Sequence, residues 1–107
     1  RMFHAPIGEV EVRATALGAA LLQAAPALEI DVAPSVARSG GGTMPVYEIP
    51  SFAVRIAGEA DTLAAKLRAA DPPVVGRVYE GRVWLDLRTL LPGDEEAVVN
   101  AVRGLLD

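Results

Sequence analysis

The sequence predicts an α+β fold: one antiparallel sheet of about four strands with helices on one face, in the order α-β-β-α-β-β-α. Three observations carry this. Apolar residues recur at helical spacing near both ends of the chain, and between them the pattern switches to strict alternation. The third is a two-residue link, Glu80-Gly81, between alternating runs, which is a hairpin signal. With 107 residues there is room for one domain, 1–107. The chain is 51% hydrophobic and only 22% charged, so it can bury a core, and at 5% aromatic that core is aliphatic.

The first helix is expected from Ile7 to about Ala25. Val10, Ala14, Leu17, Leu21 and Ala24 line one face, and the many alanines suit a helix because they lose no side-chain entropy. Gly8 to Val12 also alternates like a strand, which leaves the helix start open. Pro26 ends the helix. Leu28 to Val36 then alternates, and Pro34 marks an edge strand, since it cannot donate to a neighbour. Ser39 to Pro45 is a loop by composition, and Pro50 closes a second irregular piece before a strand from Ser51 to Ala57. Asp61 or Thr62 caps a short helix that turns Leu63, Ala64 and Leu67 inward and stops before Asp71-Pro72-Pro73.

The hairpin pairs Val74–Tyr79 with Arg82–Arg88, with Gly81 at a positive φ. Val74, Val78, Val83, Leu85 and Leu87 share the core face. Val75, Arg77, Tyr79, Arg82, Trp84, Asp86 and Arg88 share the other. A last helix opens at Pro92-Gly93-Asp94-Glu95-Glu96, its acids placed where the helix dipole favours them, with Val98, Val102 and Leu105 as its apolar stripe.

Charge and composition exclude several functions. A net charge of −4 offers no broad basic surface for nucleic acid or an anionic membrane, although nine of the ten basic residues are Arg and a local cluster can still meet a phosphate or carboxylate. The absence of Cys removes disulfides, thiol catalysis and Cys-based metal sites. The longest uncharged stretch, Ala14 to Leu28, is too short to span a bilayer, no signal peptide is visible, and a cytoplasmic location is the default. Opening on Arg1 rather than Met fits a fragment or a processed product.

Chemistry-bearing residues are few. His4 is the sole histidine and makes no metal site. Lys66, the sole lysine, falls mid-helix without the pocket that a nucleophilic lysine needs. No residue is expected to be catalytic. Gly40-Gly41-Gly42 lacks phosphate-loop spacing and reads equally as a connector or as a loop near an active site. In Asp86-Leu87-Arg88-Thr89, Asp86 and Arg88 project from the same face. Either they form an exposed ion pair, or Arg88 leaves the strand end as an anchor for a carboxylate or phosphate. Arg77 and Trp84 face each other across the hairpin, at cation–π reach.

The series Gly40-Gly41-Gly42-Thr43-Met44-Pro45, Ile49-Pro50-Ser51, Asp71-Pro72-Pro73-Val74-Val75-Gly76-Arg77-Val78, Gly81 and Leu85-Asp86-Leu87-Arg88-Thr89 resembles the C-terminal region of bacterial selenocysteine synthases (L-seryl-tRNA(Sec) selenium transferases) over nearly the whole chain. The resemblance implies the C-terminal small domain of a fold-type I pyridoxal-phosphate enzyme. Such an enzyme converts seryl-tRNA(Sec) to selenocysteinyl-tRNA(Sec) with selenophosphate, by β-elimination and then selenium addition. It implies that the cofactor lysine sits in a large domain upstream, that the chain alone is inactive and without cofactor, and that the parent is a homo-oligomer. By motif, Arg88 takes a substrate-facing role, and Gly40, Gly41 and Gly42 border the same cleft. Two alternatives stay open: the small domain of a related pyridoxal-phosphate lyase acting on a small amino or sugar acid, and a stand-alone ferredoxin-like binding domain.

Overall fold

In the computed structural model, residues 5–39, 47–90 and 93–105 are described, and the following concerns those alone. The elements are α1 (Ile7–Ala24), β1 (Glu29–Ser39), β2 (Tyr47–Ala57), α2 (Ala60–Arg68), β3 (Arg77–Tyr79), β4 (Arg82–Asp86) and α3 (Glu95–Gly104). They run in the expected α-β-β-α-β-β-α order. The strands form one four-stranded antiparallel sheet in the order β1-β2-β4-β3.

One face of this sheet is the core. Ile30, Val32, Val54, Ile56, Val83 and Leu85 point to it, and strand alternation sends the residues between them to the opposite side. All three helices close over that face. α1 buries Val10, Ala14, Leu17 and Leu21, α2 buries Ala60, Ala64 and Leu67, and α3 buries Val98 and Val102. Each fully buried Leu or Val contributes about 1.5–3 kcal/mol relative to exposure. The segment from Gly8 to Val12, which alternates like a strand, is helical because Val10 belongs to the α1 stripe; Val12 instead faces solvent. The helix ends where the Ala25 N–H bonds the Leu21 carbonyl and Pro26 follows.

Several boundaries differ from the sequence reading. β1 and β2 are longer than expected, pairing from Glu29↔Ala57 to Ser39↔Tyr47, so Pro50 lies inside β2 and closes no irregular piece. β4 covers β2 only from Ala53 to Ala57, so beyond it β1 and β2 form a two-stranded ribbon. Pro34 and Pro50 both sit in that ribbon, where each strand has a side without a neighbour to leave unpaired. α2 starts at Ala60 with no side-chain cap, so neither Asp61 nor Thr62 serves as one.

The hairpin is shorter than its alternation suggested. Only Arg77–Tyr79 pairs with β4, and β4 stops at Asp86 rather than Arg88. Val74 is buried by bonding back to the Leu67 carbonyl at 2.9 Å, outside the ladder. Gly76 then passes so close to β4 that a Cβ there would stand 2.5 Å from Val83 Cγ1. Val78 is exposed rather than part of the core, since β3 is a three-residue strand at the edge of the sheet. At the turn both Glu80 (φ 51°) and Gly81 (φ 72°) take positive φ, the requirement of a two-residue hairpin whose twist matches its strands.

Candidate functional site

The helix-free face carries an ordered row of side chains across all four strands. Asp31, Arg55, Trp84 and Arg77 are successive cross-strand partners on β1, β2, β4 and β3. Arg55 grips Asp31 with two bonds, Nε to Oδ1 at 2.7 Å and Nη2 to Oδ2. The hydrogen bond from Arg55 holds the Asp31 carboxyl below its usual range and, in return, Asp31 pushes Arg55 up. Both Arg55 and Arg77 place their guanidinium carbon 5.1 Å from the Trp84 ring centroid, so the indole lies between two cations. Its N–H donates to the Tyr79 carbonyl at 3.1 Å, and the Tyr79 ring meets it edge-on at 6.0 Å. The Arg77–Trp84 contact is the one expected from the hairpin register. The Arg55 and Asp31 end was not foreseen, because it depends on the β1–β2 register across a loop.

At the far end of β4 the Asp86 carboxylate collects three donors: Ser51 Oγ at 2.7 Å and the Arg88 backbone N–H at 2.9 Å on Oδ1, and Ser35 Oγ at 2.8 Å on Oδ2. The bond to Arg88 N–H, two residues on, makes a turn that ends the strand, and the Asp86 carbonyl completes it by accepting from Thr89 N–H and Oγ1. That turn swings Arg88 out of the alternation. Its side chain is only 4% exposed, with Nε donating to the Pro50 carbonyl at 2.7 Å and Nη1 to the Ala5 carbonyl at 2.6 Å. Asp86 and Arg88 do not pair through their side chains as the exposed ion-pair reading supposed. The two serines on neighbouring strands were missed; the signal was that Ser35 and Ser51 fall on one face at strand positions.

Beside this turn opens a cleft of about 570 Å³. Val36 and Arg38 of β1 line it, with Pro73, Val75 and Arg77 from the connector into β3. Trp84, Asp86, Thr89 and Asp94 close it from β4 and the start of α3. Arg38 is paired with Glu48 at 3.1 Å where the β1–β2 ribbon runs out. Gly40, Gly41 and Gly42, expected near an active site, lie outside the described residues, as does His4. On the helical side, Arg13 of α1 ties α3 to the β4 exit, donating to Glu95 Oε2 at 2.8 Å and to the Leu87 carbonyl at 3.0 Å.

Lys66 stands exposed on α2, beside a second hollow of about 450 Å³ whose polar lining includes Asp71 and Asn100. A covalently bound phosphorylated cofactor needs a sheltered amine and donors for its phosphate. Lys66, the sole lysine, is exposed there and offers no sheltered amine, so the described residues do not fit pyridoxal phosphate. Among the described residues no group of three or more His, Cys, Asp or Glu is placed to hold a metal, and no helix is long and apolar enough to cross a membrane.

Fold and site together define an α+β domain with helices on one side of its sheet and arginine, aromatic and hydroxyl groups on the other and at the sheet's end. This chain belongs to the L-seryl-tRNA selenium transferase family, whose profile matches residues 1–91. It is 41% identical over 106 residues to the L-seryl-tRNA(Sec) selenium transferase of Hyphomonas neptunium, covering 96% of this chain and 23% of that protein. The Geobacter sulfurreducens enzyme of the same name is 37% identical over 109 residues, covering 98% of this chain and 24% of the relative. That of Moorella thermoacetica is 42% identical over 76 residues, covering 68% and 16%. The chain thus spans a quarter or less of the length of these curated relatives.

Proposed function

We propose that this chain is the C-terminal small domain of a cytoplasmic, homo-oligomeric selenocysteine synthase that converts seryl-tRNA(Sec) to selenocysteinyl-tRNA(Sec) with selenophosphate. The observation that carries the reading is the match at 41% identity over 96% of the chain to a protein of that name, at 23% of that protein's length. The relatives described above all carry the same activity in their names, which favours this reading over a sibling lyase on a small acid. The pyridoxal phosphate that the reading entails has no seat among the described residues. It belongs with the remaining length of the parent, and no step of the reaction is assigned to residues of this chain.

What this chain contributes is a wall. The Asp86 turn and the buried Arg88 hold β2, the exit of β4 and the lead-in to α1 in one arrangement behind the cleft. A substrate-facing Arg88 would require its bonds to Ala5 and Pro50 to open.

The test is conversion of seryl-tRNA(Sec) in the presence of labelled selenophosphate by the full-length polypeptide that carries this sequence. Selenocysteinyl-tRNA is the expected product, with none from the 107-residue chain alone. Turnover of a free amino or sugar acid without labelling of the tRNA would overturn the reading.

A further inference from the structure

We propose that the cleft between β1, the Pro73–Arg77 connector and the start of α3 is a nucleotide subsite that seats the terminal nucleotide of the tRNA acceptor end, a step that rests on the selenium-transferase reading above. The chemistry of its walls points to this ligand class. Val36 and Val75 line the cleft and are 44% and 69% exposed, so apolar surface faces water there. Such surface suits a flat, weakly hydrated ring. Beside it stands Arg77, whose guanidinium is held against two rings, 5.1 Å from the Trp84 centroid and 6.0 Å from that of Tyr79. Among the described residues no carboxylate lies within ion-pairing distance of Arg77. A stacked guanidinium with its N–H groups free is already oriented for a phosphate, so little freedom is lost on binding.

The negative groups of the cleft do not oppose an anion equally. Asp86 has its carboxylate surrounded by the Ser35 and Ser51 hydroxyls and the Arg88 N–H. The Thr89 hydroxyl lines the cleft and donates to the Asp86 carbonyl, which leaves its oxygen lone pairs of the kind that a ribose hydroxyl seeks. An apolar slot, an oriented cation and a hydroxyl acceptor, at a cleft of about 570 Å³, match a nucleoside monophosphate. Inorganic phosphate alone leaves the valine walls wet, and an apolar acid leaves the hydroxyl acceptor unused.

The probes are adenosine 5′-monophosphate, ribose 5-phosphate and inorganic phosphate, titrated by calorimetry into the full-length polypeptide. The monophosphate is expected to bind with a Kd on the order of 1 mM or tighter, and about tenfold more tightly than the two phosphates without a base. Arg77→Gln and, separately, Val75→Asp are each expected to weaken it by about tenfold or more. Both positions are exposed, so the melting temperature stays near that of the parent. Equal binding of all three probes, or binding indifferent to both substitutions, overturns the proposal. If the nucleotide binds through Arg77 and Val75 but the polypeptide makes no selenocysteinyl-tRNA, the subsite stands and the selenium-transferase reading is what fails.

Discussion

Arg88 and Ala5, 83 positions apart, are joined by a 2.6 Å hydrogen bond from the arginine Nη1 to the alanine carbonyl. With its Nε on the Pro50 carbonyl, this one guanidinium ties the entry to α1 to the middle of β2. Removing it takes the donor from both carbonyls and leaves a hole where a buried side chain stood. Arg88→Ala is therefore expected to lower stability by about 2–4 kcal/mol, which for a domain of this size moves the melting temperature by roughly ten degrees or more. Arg88→Lys should recover little, because one ammonium does not reproduce a planar fork. A melting curve unchanged by Arg88→Ala, with turnover lost in the full-length polypeptide, would return Arg88 to the substrate-facing role that the motif implies.

Asp86 accepts from Ser51, a residue only 2% exposed, as well as from Ser35 and Arg88 N–H. Asp86→Ala strands those donors and is expected to cost about 2–3 kcal/mol. Asp86→Asn keeps one acceptor oxygen but turns an NH₂ toward hydroxyls, so its cost should be intermediate. Chemical denaturation of the two variants checks the order; equal stability of Asp86→Ala and wild type would show that the knot contributes nothing net.

Gly76 lies against β4 where a methyl group would meet Val83 Cγ1 at 2.5 Å, Leu85 Cδ2 at 3.0 Å and the Trp84 backbone oxygen at 3.3 Å. The last of these cannot rotate away. Gly76→Ala is expected to destabilise by about 1–3 kcal/mol through overpacking and to shift the emission of Trp84, the only tryptophan in the sequence. An unshifted spectrum with wild-type stability would mean that the connector moves aside freely.

Acid should loosen the α1–α3 contact. The Glu95 carboxyl is held below its usual range, chiefly by the hydrogen bond from the Arg13 side chain. A carboxyl whose pKa is lower folded than unfolded adds stability above the unfolded value, about 4.3 for Glu. That stability disappears as pH falls through the folded value. Asp31, lowered chiefly by its hydrogen bond with Arg55, acts in the same direction. The melting temperature is expected to fall as pH drops below about 4.3, with a shallower fall in Glu95→Gln. An identical acid slope in that variant would count against the pair.

How much of this was legible beforehand divides by the range of the interaction. The hairpin, its positive-φ turn and the facing of Arg77 on Trp84 follow from alternation on either side of Glu80-Gly81, a local property. The α1 stripe from Val10 to Leu21 is local in the same way. The resemblance to selenocysteine synthases was readable because its motifs are short runs of adjacent residues.

The chain sequence alone therefore determined the order of helices and strands and, outside the edge strand β3, which side of each turns inward, because side-chain period depends only on near neighbours. Tertiary structure decided what lies beside what. Pro50 is a strand residue because β1 pairs with it while β4 stops short. Arg88 is interior because Ser35 and Ser51, from two other strands, help Asp86 to bend the chain. The Asp31–Arg55–Trp84–Arg77 row exists because a strand order of β1-β2-β4-β3 sets four distant residues side by side. Partners brought together by sheet register leave no mark on the residues next to them in sequence.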